Sequence, residues 1–499
     1  MRYQERVVVV GNGMAGSRFV QELVERDLDR RLDITVIGDE PGGAYNRMLL
    51  SNVLAGTTAA QDIELASAAW YERHGVTLRT GTPVVGLDRK SQFVELAGRE
   101  TIRYDALVLA TGSDPVVPPV PGLHRAPGEP VDGVVPFRTA GDCAEISRRA
   151  KHARAAVVVG GGVLGLEAAR GLVGLGVPVT VVERGTRLME QQLDSGAARV
   201  LARAVERTGV TAFADLGVVR VVGDPVQAVV LSDGRTIDAD LLVLCCGVRP
   251  RVALAVDAGL AVERAVVVGD DLRSVSDRNV FAIGECAEHR GRTYGLVAPA
   301  WEQARIAAEI VAGGIGTYTG SAVVTRLKAA GIELATMGET TADDEDDVCF
   351  VDGQRGVYQK LVVRDGRLVG AILLGDTRTV GTVTQLYDRG ATVPIDRAGL
   401  LLTRRAGASS AEVSPTLLSD SATICHCNGV SKGSICSAWQ GGARTIAEIA
   451  DRTRATTGCG TCRESVVGIA DWLAVADPDQ AIPPEDTVVP SADIEAVPA

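Results

Sequence analysis

Two groups of residues in this chain have types and spacings that can do chemistry. The first is glycine. Gly11-Asn12-Gly13-Met14-Ala15-Gly16 and Gly160-Gly161-Gly162-Val163-Leu164-Gly165 are two copies of one pattern, G-x-G-x-x-G, about 150 residues apart. In such a run the first glycine permits a tight turn, the second lets the backbone approach a pyrophosphate, and the third lets a helix close on a strand. The helix start then offers free N–H groups and a positive dipole end to the anion. The second group is cysteine. Cys425-His426-Cys427 is followed, after 31 intervening residues, by Cys459-Gly460-Thr461-Cys462. Four thiolates gathered in this way hold either a [2Fe–2S] cluster or a tetrahedral zinc ion. Glycines at 458 and 460 would let backbone N–H groups turn toward the sulfurs. His426 is read as a residue beside the ligands rather than one of them.

These residues need elements to position them. Val7 to Val10 reads as a strand running into the first glycine turn, Ser17 to Glu25 as a helix, and Asp33 to Ile37 as the next strand. The order is repeated by a strand at Ala155 to Val159, a helix running to Leu175 and a strand at Val179 to Val182. Each is a βαβ unit, the context in which the glycine pattern signals a dinucleotide. An acid at the end of the second strand should hold the ribose hydroxyls. Asp39 or Glu40 stands there in the first copy, and Glu183 in the second, 21 residues after Gly162. A carboxylate at 183 favours NADH, while Arg184 and Arg187 leave NADPH open. The strand ending in Ala110-Thr111-Gly112 is echoed by one ending in Gly247, and Asn279 to Gly284 leads into Glu285. Ala110-Thr111-Gly112 and Gly284-Glu285 complete the first site, not the second; resemblance to the FAD/NAD(P)-dependent pyridine nucleotide reductases implies FAD at the first site and NAD(H) at the second.

The expected architecture is α/β, with a nucleotide domain interrupted by another of the same kind. The FAD-binding domain takes residues 1–113 and 248–317, and the NAD(P)H-binding domain inserted in it takes 114–247. A small α+β domain spans 318–402 and a linker 403–423. A small, mainly helical iron–sulfur domain spans 424–473, with a disordered tail over 474–499. Thr445 to Glu448 reads as a capping box opening a helix in the iron–sulfur domain, and Val466 to Leu473 as the helix after it. The acidic run Asp343 to Asp347 reads as a solvated loop. Cys245, Cys246 and Cys286 read as small buried residues, and Cys436 has no assigned role.

Composition excludes several function classes. The formal charge is −12 with no basic block, which argues against nucleic acid or an anionic membrane as partner. The first ten residues lack the features of a signal peptide, and no apolar run is long enough to span a bilayer. The cytosol is the expected compartment. Five of the ten cysteines fall in the last 75 residues. In a reducing compartment that clustering points to metal ligation rather than disulfides.

Residues 1 to about 315 resemble the FAD/NAD(P)-dependent pyridine nucleotide reductases. The resemblance implies that Gly284-Glu285 lies near the FAD ribityl and pyrophosphate, with Glu285 where many members have Asp. It also implies that Ala44 to Ser51 passes the flavin ring and that Glu167 lies near the nicotinamide. Tyr45, Arg47 and Glu302 are expected in the flavin surroundings. The chain has no cysteine before Cys143, so disulfide chemistry at the flavin is not expected. The quartet resembles the bacterioferritin-associated ferredoxin domain, a [2Fe–2S] module with C-x-C and C-x-x-C halves. An electron-delivering flavin upstream also favours that cluster over zinc.

The order of parts resembles the N-terminal half of the large subunit of assimilatory NAD(P)H nitrite reductases and the electron-transfer subunit of assimilatory nitrate reductases. VVVGNGMAGSRF (8–19), VVGGGVLGLEAA (158–169), FAIGECA (281–287), GLVAPA (295–300) and the quartet carry the likeness. No cysteine follows Cys462, so the expectation is an electron donor to a separate nitrate or nitrite reductase catalytic subunit. The alternative within enzymes is a reductase of a ferredoxin, rubredoxin or oxygenase partner. The alternative outside them is a redox-sensing or iron-handling interaction protein.

Overall fold

In the computed structural model, the described residues are 4–126, 128–329, 331–341, 346–401, 418–420, 422–425, 428–457 and 462–476. They form two compact units, residues 1–408 and 409–499. Among the described residues no helix is long and apolar enough to cross a membrane.

Alternation of apolar runs with glycine turns builds the first unit around two nucleotide-type sheets. Glu5–Val10 is flanked by Leu32–Ile37 on one side and Ala106–Leu109 on the other, all parallel, with Val7 opposite both Ile34 and Ala106. Asp277–Ala282 adds to Ala106–Leu109, also parallel, and the sheet reaches eight strands. The second sheet has five parallel strands in the order Val134–Pro136, Leu241–Leu244, Ala156–Val159, Val179–Val182, Val210–Phe213. Central strands of both sheets are buried on both faces, which is why they read as continuous valine and leucine runs.

The chain crosses between the two sheets as an antiparallel pair: Ser113–Pro115 runs against Val248–Pro250, with Asp114 opposite Arg249. All strands of the five-stranded sheet lie between those segments in sequence. The strands at Ala106–Leu109 and Leu241–Leu244 are shorter than the runs Tyr104 to Gly112 and Asp240 to Gly247. Each run bends off its sheet before a glycine with positive φ, +68° at Gly112 and +91° at Gly247.

Residues 324–374 form a five-stranded antiparallel sheet, with the helix Val380–Asp388 after it. Its face enters the core of the second nucleotide sheet, where Leu327, Leu334, Tyr358 and Ile372 cluster with Val158, Leu172 and Leu201. Leu49, Leu50 and Leu54, from the segment expected beside the flavin, belong to that same core. That segment is therefore anchored by the second sheet's helices as well as by its own domain.

Asp347 corrects the reading of the acidic run as a solvated loop. Its side chain is buried, bonds to the Val363 N–H and pairs with Arg364 at 2.9 Å, while Asp346 pairs with Arg397. Residues 342–345 lie outside the described residues.

In the second unit a hairpin, Thr423–Cys425 with Val430–Ser431, precedes helices Lys432–Gln440, Ile446–Thr453 and Arg463–Ala476. Ile435, Trp439, Ile449, Val466 and Ile469 form its core. The capping box at Thr445 and Glu448 is present, with both reciprocal bonds. Most of the expected linker and the whole of 477–499 lie outside the described residues.

Candidate dinucleotide sites and cysteine centre

The two glycine loops have one geometry. Gly11 N–H bonds to Ile37 O at 2.7 Å, and Gly160 N–H bonds to Val182 O at 2.8 Å. Both first glycines have φ +113°. A Cβ on Gly11 would lie 2.1 Å from Ala110 O, and one on Gly160 would lie 2.3 Å from Cys245 O. A Cβ on the last glycine, Gly16 or Gly165, would lie 2.0 or 1.9 Å from the carbonyl of the first. The middle glycines, Gly13 and Gly162, have nothing within 4 Å of that position. First and third glycines are thus required by the protein's own close approach, whereas the middle ones face open space, as a backbone that receives a pyrophosphate must. Gly13 and Gly162 also begin the helices Met14–Arg26 and Val163–Gly174, neither with a side-chain cap. The first-turn N–H groups are left for an anion. The first helix starts at Met14 rather than at the expected Ser17 because the loop's last turn is already helical.

Gly284 and Glu285 sit against the first loop. A Cβ on Gly284 would lie 3.0 Å from Ala15 Cβ, and Trp301 Nε1 donates to Met14 O at 3.1 Å. Gln303 Oε1 accepts the Gly284 N–H at 2.7 Å. Glu285 accepts Ser113 Oγ at 2.6 Å and pairs with Arg138, whose Nη2 also donates to Ser113 Oγ at 2.8 Å. Arg138 follows a strand of the inserted sheet and was not singled out by sequence reasoning; no local motif marks it. Thr111 Oγ1 donates to Arg251 O at 2.7 Å.

In the segment expected beside the flavin, Tyr45 donates to Glu40 at 2.7 Å, accepts the Ala140 N–H at 3.0 Å and lies under the Arg47 guanidinium. Arg47 also pairs with Glu40. Burial pushes the Tyr45 hydroxyl well above the ordinary phenol range, which keeps it protonated. Asp39 pairs with Arg251 at 2.7 Å. Glu302 receives Ser321 Oγ at 2.6 Å, and its charge, after burial, raises the Asp388 carboxyl.

In the second site Glu183 is fixed by main chain: its two oxygens accept the N–H groups of Gly161 and Gly185, each at 2.6 Å. The residue equivalent in register in the first copy is Gly38, since Ile37 and Val182 bond the two first glycines alike. Glu167 lies on the helix after the second loop, and its charge adds to burial and to Cys246 in raising the Cys245 thiol. Cys286 is fully buried as expected, but Cys245 and Cys246 are only partly so. They form the strand end that backs Gly160, the place Ala110 and Thr111 fill behind Gly11.

These residues fit two dinucleotides. Beyond the open faces of Gly13 and Gly162, Asn12 Nδ2 and Arg138 Nε on the first-loop side are buried donors with no hydrogen-bond partner, a costly state that cofactor oxygens would relieve.

In the second unit Cys425 and Cys462 are both buried. The Thr456 N–H donates to Cys462 Sγ at 3.3 Å, from a residue with φ +69°. Asn428 Nδ2, just after the C-x-C half, donates to Arg454 O at 2.7 Å and ties the hairpin to the loop before the C-x-x-C half. An N–H aimed at sulfur favours the thiolate and a cluster's negative charge. Thr456 supplies one such N–H; Gly458 and Gly460 are expected to supply others. Those glycines, together with His426, Cys427 and Cys459, lie outside the described residues.

Comparison with known proteins agrees with this geometry. Residues 5–310 match the pyridine nucleotide-disulphide oxidoreductase family, residues 324–390 the rubredoxin NAD+ reductase C-terminal domain, and residues 423–472 the BFD-like [2Fe-2S] binding domain. The chain is 38% identical to the assimilatory nitrate reductase electron transfer subunit of Bacillus subtilis, over 94% of this chain and 60% of the relative. It is also 38% identical to the nitrite reductase [NAD(P)H] of that organism, over 95% of this chain and 58% of the relative. It thus spans about three-fifths of the length of these two relatives. The reductase in a covalent putidaredoxin reductase–putidaredoxin complex superposes with a TM-score of 0.73 at 24% identity, over 83% of this chain and 98% of that one. The domain matches imply FAD and NAD(P)H for the first unit and a [2Fe–2S] cluster for the second. With 306 consecutive residues matched around two glycine loops of one geometry, the chain belongs to the pyridine nucleotide-disulphide oxidoreductase family.

Proposed function

We propose that this oxidoreductase takes electrons from NADH at the second glycine loop, passes them through FAD at the first, and delivers them to a [2Fe–2S] cluster on Cys425, Cys427, Cys459 and Cys462. From there they go to a separate acceptor protein, the catalytic subunit of nitrate or nitrite assimilation. The observation that carries this reading is the presence on one chain of two matching dinucleotide loops and a cysteine quartet. FAD, when bound, accepts a two-electron hydride and releases electrons singly, the conversion that NADH and an iron–sulfur cluster require.

The chain's own residues bind and position. Gly11, Gly13 and Gly16 with Asn12, Met14 and Ala15 receive one pyrophosphate; Gly160, Gly162 and Gly165 with Val163 and Leu164 receive the other. Glu183 holds the adenosine ribose of the nicotinamide cofactor, and Asp39 or Glu40 that of FAD. Arg138 and Glu285 lie on the ribityl side of the first loop, with Tyr45 and Arg47 beside the ring. Glu167 orients the nicotinamide. Hydride transfer to a flavin needs no proton from the protein, so no acid–base residue is assigned.

The nitrate or nitrite role rests on the relatives' names and on the quartet. A second reading, reductase of a small one-electron carrier such as rubredoxin or ferredoxin, is favoured by the match at 324–390. NADH-driven assays with each acceptor separate them. Support of nitrate or nitrite reduction by a catalytic subunit is the expected result. Turnover with rubredoxin or ferredoxin alone would establish the second reading.

A further inference from the structure

The loop after the second nucleotide strand carries a second acid that the ribose role does not require. Met189, with φ +50°, donates its N–H to Gly161 O at 3.0 Å and so folds residues 185–190 back over the glycine loop. Leu188 fills the space beside Gly161, its Cδ2 lying 2.5 Å from where a Cβ would be. This return brings Glu190 to Glu183: a Cβ on Gly185 would lie 2.4 Å from Glu190 Oε2 and 3.0 Å from Glu183 Oε1. Two carboxylates thus face one point beside the ribose acid.

Of the nearby cations, Arg187 is not turned toward a ligand there: it is spent within its own loop, where it pairs with Glu190. Arg187 is turned into its own loop, with Nε donating to Leu193 O at 3.0 Å, Nη2 to Glu190 O at 3.5 Å and Nη1 to Thr186 Oγ1 at 3.3 Å. Glu190 Oε1 stands 3.7 Å from Arg187 Nη1 and accepts Thr186 Oγ1 at 2.7 Å. Arg184 is exposed, where solvent and salt weaken its field.

We propose that Glu190 is a specificity-determining residue: it sets a second negative charge where a ribose 2′-phosphate would lie and holds Arg187 away from it, so the site takes NADH and rejects NADPH. This rests on reading residues 160–165 and Glu183 as the nicotinamide cofactor's site. Like charges at close range disfavour the dianionic phosphate but leave a ribose hydroxyl unaffected. The neutral Glu190→Gln keeps the shape, removes the charge and loosens Arg187.

The test uses the holoenzyme with ferricyanide as electron acceptor, and calorimetric binding of ADP-ribose against 2′-phospho-ADP-ribose. Glu190→Gln is expected to lower the NADH-to-NADPH ratio of kcat/KM about tenfold, and to tighten 2′-phospho-ADP-ribose relative to ADP-ribose by a similar factor, equivalent to about 1.4 kcal/mol. Ratios are insensitive to the fraction of active protein, and Glu190→Asp, which keeps the charge, should retain most of the discrimination. Unchanged ratios in Glu190→Gln would overturn the proposal. Glu183→Gln separates this from the underlying assignment: if it leaves ADP-ribose binding intact, the site itself is misread. If it weakens ADP-ribose while Glu190→Gln moves neither ratio, the second acid alone is refuted.

Discussion

Arg138, carried by the inserted nucleotide sheet, is ion-paired with Glu285 of the eight-stranded sheet's domain, and Ser113 bonds to both. The pair joins the two nucleotide domains at the first glycine loop, largely out of water. Breaking this half-buried pair would leave the Glu285 carboxylate without its cation. Arg138→Ala is therefore expected to weaken FAD retention by about tenfold or more, or roughly 1.4 kcal/mol, with the nicotinamide loop intact. Flavin released on dilution measures it, and a variant that retains FAD as wild type does would exclude a cofactor role for Arg138.

The glycines in one loop should separate by role. Gly165→Ala would put a Cβ 1.9 Å from Gly160 O, a backbone clash expected to cost more than about 4 kcal/mol. Gly162, with φ −78° and open space around it, should accept alanine with a stability change within about 0.5 kcal/mol. The same methyl would obstruct a pyrophosphate, so the KM for NADH should rise about tenfold or more. Thermal unfolding and steady-state kinetics on the two variants check the contrast.

The small antiparallel sheet is held to the inserted domain by Tyr358, which donates to Asp194 at 2.7 Å. Asp194 also caps the helix Ser195–Arg207, and Gly196 leaves room for the tyrosine ring, which a Cβ would meet at 2.8 Å. Asp194→Ala should cost more than the roughly 1–2 kcal/mol of the lost cap, because it also removes an ion-pair partner of the buried Lys360, and Tyr358→Phe about 1 kcal/mol through the lost hydrogen bond. A double-mutant cycle by denaturant unfolding should show coupling of at least ~0.5 kcal/mol; strict additivity would mean the bond contributes nothing.

Burial, reinforced by the charge of Glu183, raises the Cys246 thiol from its ordinary value of 9.0 to about 11. Since the fold favours the protonated form, this stabilising contribution holds below pH 9 and fades as pH rises through 11. The thiolate is the reactive species. At pH 8 iodoacetamide should label the exposed Cys349 well before Cys143, Cys245, Cys246 or Cys286. Peptide mapping after timed labelling reads this directly, and early labelling of Cys246 would contradict it.

What could be read before the structure follows physical range. The glycine loops, their strands and the capping box at Thr445 are local patterns: each needs only residues a few positions apart to fix its geometry, and they also carried the fold class. Arg138 could not be read that way, since its carboxylate partner is 147 residues away in sequence. Asp347 looked like one member of a solvated run because its salt bridge forms only when Arg364 arrives across the sheet. Cys245 and Cys246 resembled core residues, but they form the strand end backing Gly160, an assignment visible only once strands Leu241–Leu244 and Ala156–Val159 are paired. Glu190 was passed over because its approach to Glu183 depends on the left-handed turn at Met189.

The central claim, that a flavin feeds a one-electron centre on the same polypeptide, is tested most directly by anaerobic titration of the purified holoprotein with NADH, followed by visible absorption and EPR. Flavin absorbance is expected to bleach while the EPR signal of a reduced [2Fe–2S] cluster grows. In Cys462→Ser that signal should be lost while flavin bleaching persists. A protein that is yellow but free of iron, or whose cluster stays oxidised after the flavin is fully reduced, would contradict it.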